Sequence, residues 1–398
     1  MADLATVVEA RPARKSLLDG KMKESPSKLG IVAFLAALLG GLGFIAFHVS
    51  KDLDNVVITS VWPYVLLALA LIIALGFEFV NGFHDTANAV ATTISTRALS
   101  PRLAIGFSAL LNLIGAVVAI QLLHTKVANT IGGLVAPDQG VSLAMIIAAL
   151  SAATVWNLVT WRAGLPSSSS HALIGALIGM GIAGYGVHAV KWDKVIPVII
   201  GLITSPIAGL VLGYLFLIGV LYVFRHIHPS RGNRNFRVAQ IFSGSFVSFS
   251  HGANDAQKTM AVITLALLAT GHISAGHGAF PSPPLWVVVA AATAIGAGTY
   301  AGGWRIIRTM GSRIARLEPV DGFAAQTMAA VVIQAATQFA IPVSTTHVVS
   351  GAVMGAGATR RLAAVRWGTA RTIVIAWVLT IPATAALAAA GALAARAV

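Results

Sequence analysis

Asn81-Gly82-Phe83-His84-Asp85-Thr86-Ala87-Asn88-Ala89 and His251-Gly252-Ala253-Asn254-Asp255-Ala256-Gln257-Lys258 are two versions of one motif, 170 residues apart. A second motif follows each. Leu165-Pro166-Ser167-Ser168-Ser169-Ser170-His171 answers to Ile341-Pro342-Val343-Ser344-Thr345-Thr346-His347, 176 residues further on. The glycines behind the second motif also match: Gly175, Gly179 and Gly181 against Gly351, Gly355 and Gly357. Shared order and spacing predict a duplicated chain.

The stretches around these motifs are apolar. Of 398 residues, 57 % are apolar and 10 % are charged, where a soluble domain carries about 25 % charged residues. That excludes an ordinary soluble enzyme and a disordered chain. About 20 apolar residues cross a bilayer as a helix. Candidate spans begin at residues 30, 62, 103, 141, 166, 195, 238, 285, 322, 343 and 372. The expectation is an all-α, polytopic membrane protein with 10–12 transmembrane helices, some of them broken, in a lipid bilayer. Lipid tolerates only helices and closed barrels, and these runs are too long for barrel strands.

The formal net charge is +14. The basic residues sit between apolar runs, so they speak for topology and not for nucleic acid. There is no cysteine, which excludes disulfides and thiolate chemistry. Residues 1–29 read as a disordered basic tail, 30–61 as an extra span and loop, 62–224 as the first repeat, 225–237 as a basic cytoplasmic linker and 238–398 as the second repeat.

Loop charges then suggest how the repeats are related. Arg97 and Arg102 follow the first motif of half one, whereas 270–284 in half two has no Lys or Arg. Conversely, 124–140 has only Lys126, and its counterpart holds Arg305, Arg308, Arg313 and Arg316. Residues 359–371 hold Arg360, Arg361, Arg366 and Arg371, against two Lys in 185–194. The heavy loop alternates, so the positive-inside rule predicts halves of opposite orientation. Inverted repeats with a site near mid-membrane are a transporter signature.

Among 13 acidic residues, only Glu78, Asp85 and Asp255 lie in or beside apolar spans. Such a charge costs roughly 2.5–3.5 kcal/mol on insertion scales, so it marks function by default. Glu78 has Ser248 at its counterpart position and receives no role. Asp85 shares a helix face with Asn88, and Asp255 with Lys258. Gly82 and Gly252 permit a helix break that would free backbone carbonyls. Carboxylate, amide and carbonyl oxygens suit a hard cation such as sodium, with Asp85 and Asp255 as the metal ligands. Lys258 supplies a fixed ammonium where half one has Asn88.

The second motifs read as anion cradles. Pro166 and Pro342 fit the first turn of a helix. Ser168, Ser169 and Ser170, with Ser344, Thr345 and Thr346, add hydroxyl donors to a helix end carrying about half a positive charge. The alternative is simple capping. His171 and His347 follow, able to donate to an oxyanion or to take a coupling proton. His84 and Asn254 complete the polar set. No P-loop, H-E-x-x-H or G-x-S-x-G motif is present, so an enzyme is not expected.

The paired motifs resemble the G-A-N-D and P-x-S-T-T-H signatures of the inorganic phosphate transporter (PiT) family, bacterial type. The resemblance implies a plasma-membrane symporter of inorganic phosphate, driven by protons or sodium, and in many bacterial members carrying metal–phosphate. It implies that Asp85 and Asp255 serve coupling and that the Ser/Thr runs bind phosphate. His84 replaces an Asn of that pattern, and Gln257-Lys258 replaces Ala-Asn. Both departures argue against a symmetric pair of sodium sites and for proton coupling, or for one cation site with Lys258 standing in for the other ion. A sulfate permease of the same fold and an anion channel are the alternatives. No cofactor is expected, and a homodimer is compatible with the small-residue faces.

Overall fold

The computed structural model describes residues 61–123, 126–135, 141–273 and 280–397, together with Gly43, Phe47 and His48. The expected tail and the span at 30–49 lie outside these residues, apart from those three. Twelve helices are described: α1 (Trp62–Ser95), α2 (Pro101–Leu123), α3 (Lys126–Gly132), α4 (Leu143–Ala163), α5 (Ser169–Tyr185), α6 (Trp192–Val223), α7 (Pro229–Ala269), α8 (Leu285–Ala301), α9 (Trp304–Arg308), α10 (Pro319–Gln338), α11 (Thr345–Arg360) and α12 (Trp367–Ala397). A single π turn, Thr309–Arg313, extends α9.

Five of them are long and apolar enough to cross a membrane: α1, α2, α4, α6 and α12. Helix α8 with α9 and its π turn makes a sixth, bent by 58°. The sequence count of 10–12 runs ahead of this for a physical reason. Helices α5 and α11 have 17 and 16 residues, about 24–26 Å against a hydrocarbon core of about 30 Å. Helix α7 is 41 residues long but carries the polar motif in its middle. The linker expected at 225–237 is mostly helix, because α7 starts at Pro229, a residue suited to a first turn. Outward faces of α6 and α12 expose Ile196, Ile200, Ile203, Ile207, Val378 and Leu379, as a lipid-facing surface requires.

The second half repeats the first in order and in detail. Helix α1 packs on α8 as α7 packs on α2, and α5 on α12 as α11 on α6. An antiparallel bridge joins Val135 to Val190, and another joins Ala315 to Val365. Trp192 Nε1 donates to Val187 O at 3.1 Å, and Trp367 Nε1 to Leu362 O at 2.9 Å. Lys126 donates to Gln338 O at 3.2 Å, and Arg305 to Arg162 O at 2.6 Å. In both cases a cation on a short helix closes the carboxyl end of a helix in the other half.

Glycines set the closest helix contacts. A Cβ on Gly82 would strike the carbonyl of Ile295, and one on Gly252 the carbonyl of Asn112. Gly298 meets Phe79 and Gly115 meets Phe249 in the same way. Helices α1 and α7 run unbroken through Gly82 and Gly252. The expected helix break is therefore not there. These glycines bring backbones together.

Two apolar clusters flank a polar layer. One holds Phe77, Leu150, Leu173, Met260 and Ile295, and the other Val90, Ile307, Ala325, Val349 and Ile373. Along α1 and α7 the residues between the clusters are the acidic motifs. Arg97, Arg316 and Arg366 line one cavity of about 700 Å³. Lys126, Asp193 and Lys194 line another of about 510 Å³ beside Pro342.

Candidate functional site

Helices α5 and α11 start inside the protein, each capped by a serine. Ser168 Oγ accepts from His171 N at 3.1 Å, and Ser344 Oγ from His347 N at 3.2 Å. Pro166 and Pro342 thus stand two residues ahead of the caps, outside the first turn. The cap leaves Ser169, Ser170, Thr345 and Thr346 in that turn, all buried. Capping and site-building are both present, divided among neighbouring hydroxyls.

The motif of Asp85 faces the hydroxyl run of the opposite half, and the motif of Asp255 meets both runs. Thr346 Oγ1 donates to Asp85 Oδ1 at 3.0 Å. Thr345 Oγ1 lies 3.2 Å from Asp85 Oδ2 and 3.2 Å from Asp255 Oδ2, so one hydroxyl spans the two carboxylates. Asn88 Nδ2 donates to Thr346 Oγ1 at 3.0 Å. On the other side, Lys258 Nζ reaches Ser170 Oγ at 2.5 Å, Asp255 Oδ1 at 2.5 Å and Val343 O at 3.1 Å. These contacts use all three ammonium donors. Ser170 Oγ itself donates to Val343 O at 3.1 Å.

His251 is the residue that sequence reasoning left out of the site. Its Nε2 lies 3.1 Å from Asp255 Oδ2 and 3.6 Å from Asp85 Oδ2, and its Nδ1 lies 3.1 Å from Asn112 Oδ1. The available signal was its position four residues before Asp255, on the same helix face. Asp85, His251 and Asp255 each offer one ligand atom within 4.8 Å of the others. Asp85, Asp255 and Lys258 together leave one formal negative charge, buried away from water. His84 and His251 each touch a carboxylate there, His84 through Nδ1 at 2.9 Å from Asp85 Oδ1. A proton or a small cation can make up that charge.

His84 Nε2 is 3.4 Å from both Thr160 Oγ1 and Ser167 Oγ. Asn254 Nδ2 donates to Thr337 Oγ1 at 2.7 Å, and its Oδ1 has no hydrogen-bond partner. Ser169 sits buried in the first turn of α5. His171 and His347 pack edge to face with ring centroids 4.3 Å apart, and His347 stacks on Trp377. Neither ring bonds a carboxylate, and His171 Nδ1 and Nε2 have no partner among the described residues. Gln257 supports the fold, since its Oε1 accepts from Val127 N at 3.1 Å and Ala128 N at 3.3 Å. That closes the otherwise open amino end of α3.

Residues 81–388 match the phosphate transporter family. A protein of Bacillus subtilis (strain 168) named "Probable low-affinity inorganic phosphate transporter" is 44 % identical over 324 residues, covering 81 % of this chain and 95 % of its own. A protein of Mycobacterium leprae (strain TN) with the same name is 46 % identical over 318 residues, 80 % of this chain and 75 % of its own. A solved structure titled "The sodium-dependent phosphate transporter" superposes with a TM-score of 0.73 at 24 % identity, covering 84 % of this chain and all of that one. Its likeness shows the fold. With the family's span running from the first acidic motif into the last helix, the chain belongs to the phosphate transporter family.

Proposed function

We propose that this phosphate transporter of the plasma membrane is a symporter driven by protons, built from two inverted halves, 62–224 and 238–398. One observation carries the reading: the donors that suit an oxyanion are the donors that hold Asp85 and Asp255. Phosphate and carboxylate compete for Thr345, Thr346 and Lys258. Phosphate gains those donors once the carboxylates are neutralised, and a carboxylate is neutralised by a proton or a cation. Binding of anion and cation are thereby linked.

Lys258 supports the proton over sodium. It places a permanent ammonium against Asp255, where half one has the neutral Asn88. One of two cation sites is thus filled by the protein's own charge. The fold neighbour's title names sodium, but that likeness speaks for architecture and not for the ion. The cavity shared by Arg97, Arg316 and Arg366 supports the inversion, since these residues come from the loops that charge assigns to the cytoplasm.

A second reading has its own support. The Asp85–His251–Asp255 set offers mixed oxygen and nitrogen ligands, which suits a divalent cation entering with phosphate.

Radiolabelled phosphate uptake into proteoliposomes tests these points, with pH and sodium gradients imposed separately and unlabelled sulfate in excess. Accumulation driven by the pH gradient and unaffected by sulfate is expected. Accumulation driven only by sodium and insensitive to protonophores overturns the coupling. Full competition by sulfate overturns the substrate. Lys258→Asn makes half two like half one, and its uptake is expected to become sodium-dependent. A chelator added to the same assay is expected to lower uptake if metal–phosphate is carried.

A further inference from the structure

Glu78 lies on α1 two turns before Asp85 and is fully buried. Thr259 Oγ1 on α7 donates to its Oε2, as does Asn81 Nδ2 at 3.4 Å. Its Oε1 has no hydrogen-bond partner. Among the described residues Glu78 belongs to no ion pair. Asp85 and Asp255, by contrast, each touch an ammonium or an imidazole.

The elements around Glu78 bring it little charge. From α7 the titratable groups that act on it are Asp255 and His251, with Lys258 turned toward Asp255 and Ser170. Helix α8 carries no charged residue and, as a titratable one, only Tyr300. Helix α4 carries only Arg162 and α2 only Arg102, both at helix ends. Gly303, just before α9, meets α1 at Phe83, α11 meets it at Asp85 and α10 near Ala89, all beyond Glu78. A buried carboxyl group with no cation paired to it favours its neutral form and gives up its proton only when its surroundings change.

The other half has no such group. The counterpart of Glu78 is Ser248, whose hydroxyl bonds Ser108 at 2.9 Å. The counterpart of Thr259 is Ala89. A carboxyl–hydroxyl pair on one side of the polar layer faces a hydroxyl–methyl pair on the other. Along α1, Glu78 stands on the Trp62 side of Asp85, away from Arg97. Loop charge assigns that side to the exterior.

We infer that Glu78 carries the coupling proton. Its carboxylate takes one proton from the outer solution, crosses the cycle as the neutral acid, and gives that proton to the inner solution. Thr259 follows Lys258 directly, so the acid is bonded to the turn of α7 that holds the ammonium. The inference rests on the proton-coupled reading above.

Glu78→Gln keeps the size of the side chain and removes the titration. Wild type and variant are compared in proteoliposomes for net phosphate accumulation under a pH step and for phosphate–phosphate exchange at uniform pH. A step of about one unit drives about tenfold accumulation for each proton coupled. The variant is expected to lose this accumulation and to keep exchange, and Glu78→Asp to keep accumulation with a shifted pH profile. Accumulation equal to wild type in Glu78→Gln overturns the inference alone. Loss of exchange along with accumulation overturns it too, since Glu78 then serves folding or the anion site. Absence of pH-driven accumulation in the wild type overturns the coupling reading and the inference with it.

Discussion

Gly82 on α1 and Gly252 on α7 make the same joint, each pressed against a backbone carbonyl of the other half. Three residues beyond them the two helices part in chemistry. Asp85 on α1 meets the neutral hydroxyls of Thr345 and Thr346 from α11 and the imidazole of His84. Helix α7 gives Asp255 the ammonium of Lys258 and the imidazole of His251. Packing kept the duplicated pattern while charge departed from it. A helix crossing tolerates almost no change, because a Cβ there meets a main chain that cannot move aside. A polar layer tolerates change if every group still finds a partner, and here the pairing is rearranged between halves.

The largest expected effect tests that asymmetry. Asp255→Asn strands the buried ammonium of Lys258 and is expected to cost about 3–5 kcal/mol of stability. Asp85→Asn leaves mostly neutral neighbours and is expected to cost about 1–3 kcal/mol. Denaturant unfolding of the purified protein reads the difference. Equal losses would mean that Lys258 does not distinguish the halves energetically. Both variants are expected to abolish accumulation of phosphate.

The next effect tests the sameness. Gly82→Ala and Gly252→Ala each force a methyl against a carbonyl and are expected to cost about 1–3 kcal/mol, in equal measure. A helix break at these glycines, as their place in the motif first suggests, would make the substitutions mild. A large difference between them would show that the two joints are not equivalent.

Much of this architecture was legible in the sequence, and the limits are instructive. Scarce charge and two motif pairs in the same order at similar offsets sufficed for an all-α membrane protein with one doubled site. The exchange between halves was not legible, because spacing along a chain does not say that Asp85 meets Thr346 rather than Ser170. Gly82 and Gly252 were misread since glycine has two uses, and choosing between them needs Ile295 and Asn112 from other helices. His251 was visible as a neighbour of Asp255. Its place between two carboxylates arises only when α1 and α7 come together. Glu78 stood out as a buried acid without a repeat partner, and its surroundings appear only in three dimensions.

The smallest expected effect belongs to the caps, where the halves agree most closely. Ser168 and Ser344 each accept one amide hydrogen bond, from His171 and His347, in the same extended backbone conformation. Replacing such a cap by alanine costs about 1 kcal/mol. Ser168→Ala and Ser344→Ala should therefore lower stability by that amount each and by equal amounts. Neither hydroxyl bonds a carboxylate or Lys258 among the described residues, so the pH dependence of uptake should stay in place while its rate falls modestly. If Ser344→Ala instead abolished uptake at unchanged stability, the hydroxyl would be an anion ligand as well as a cap. The division of labour between Ser344 and the neighbouring Thr345 and Thr346 would then have to be redrawn. Doing both substitutions in one chain sharpens the comparison further. Ser168 and Ser344 cap different helices from different halves, so their costs should add, and a sum well above the parts would mean that α5 and α11 share load through His171 and His347.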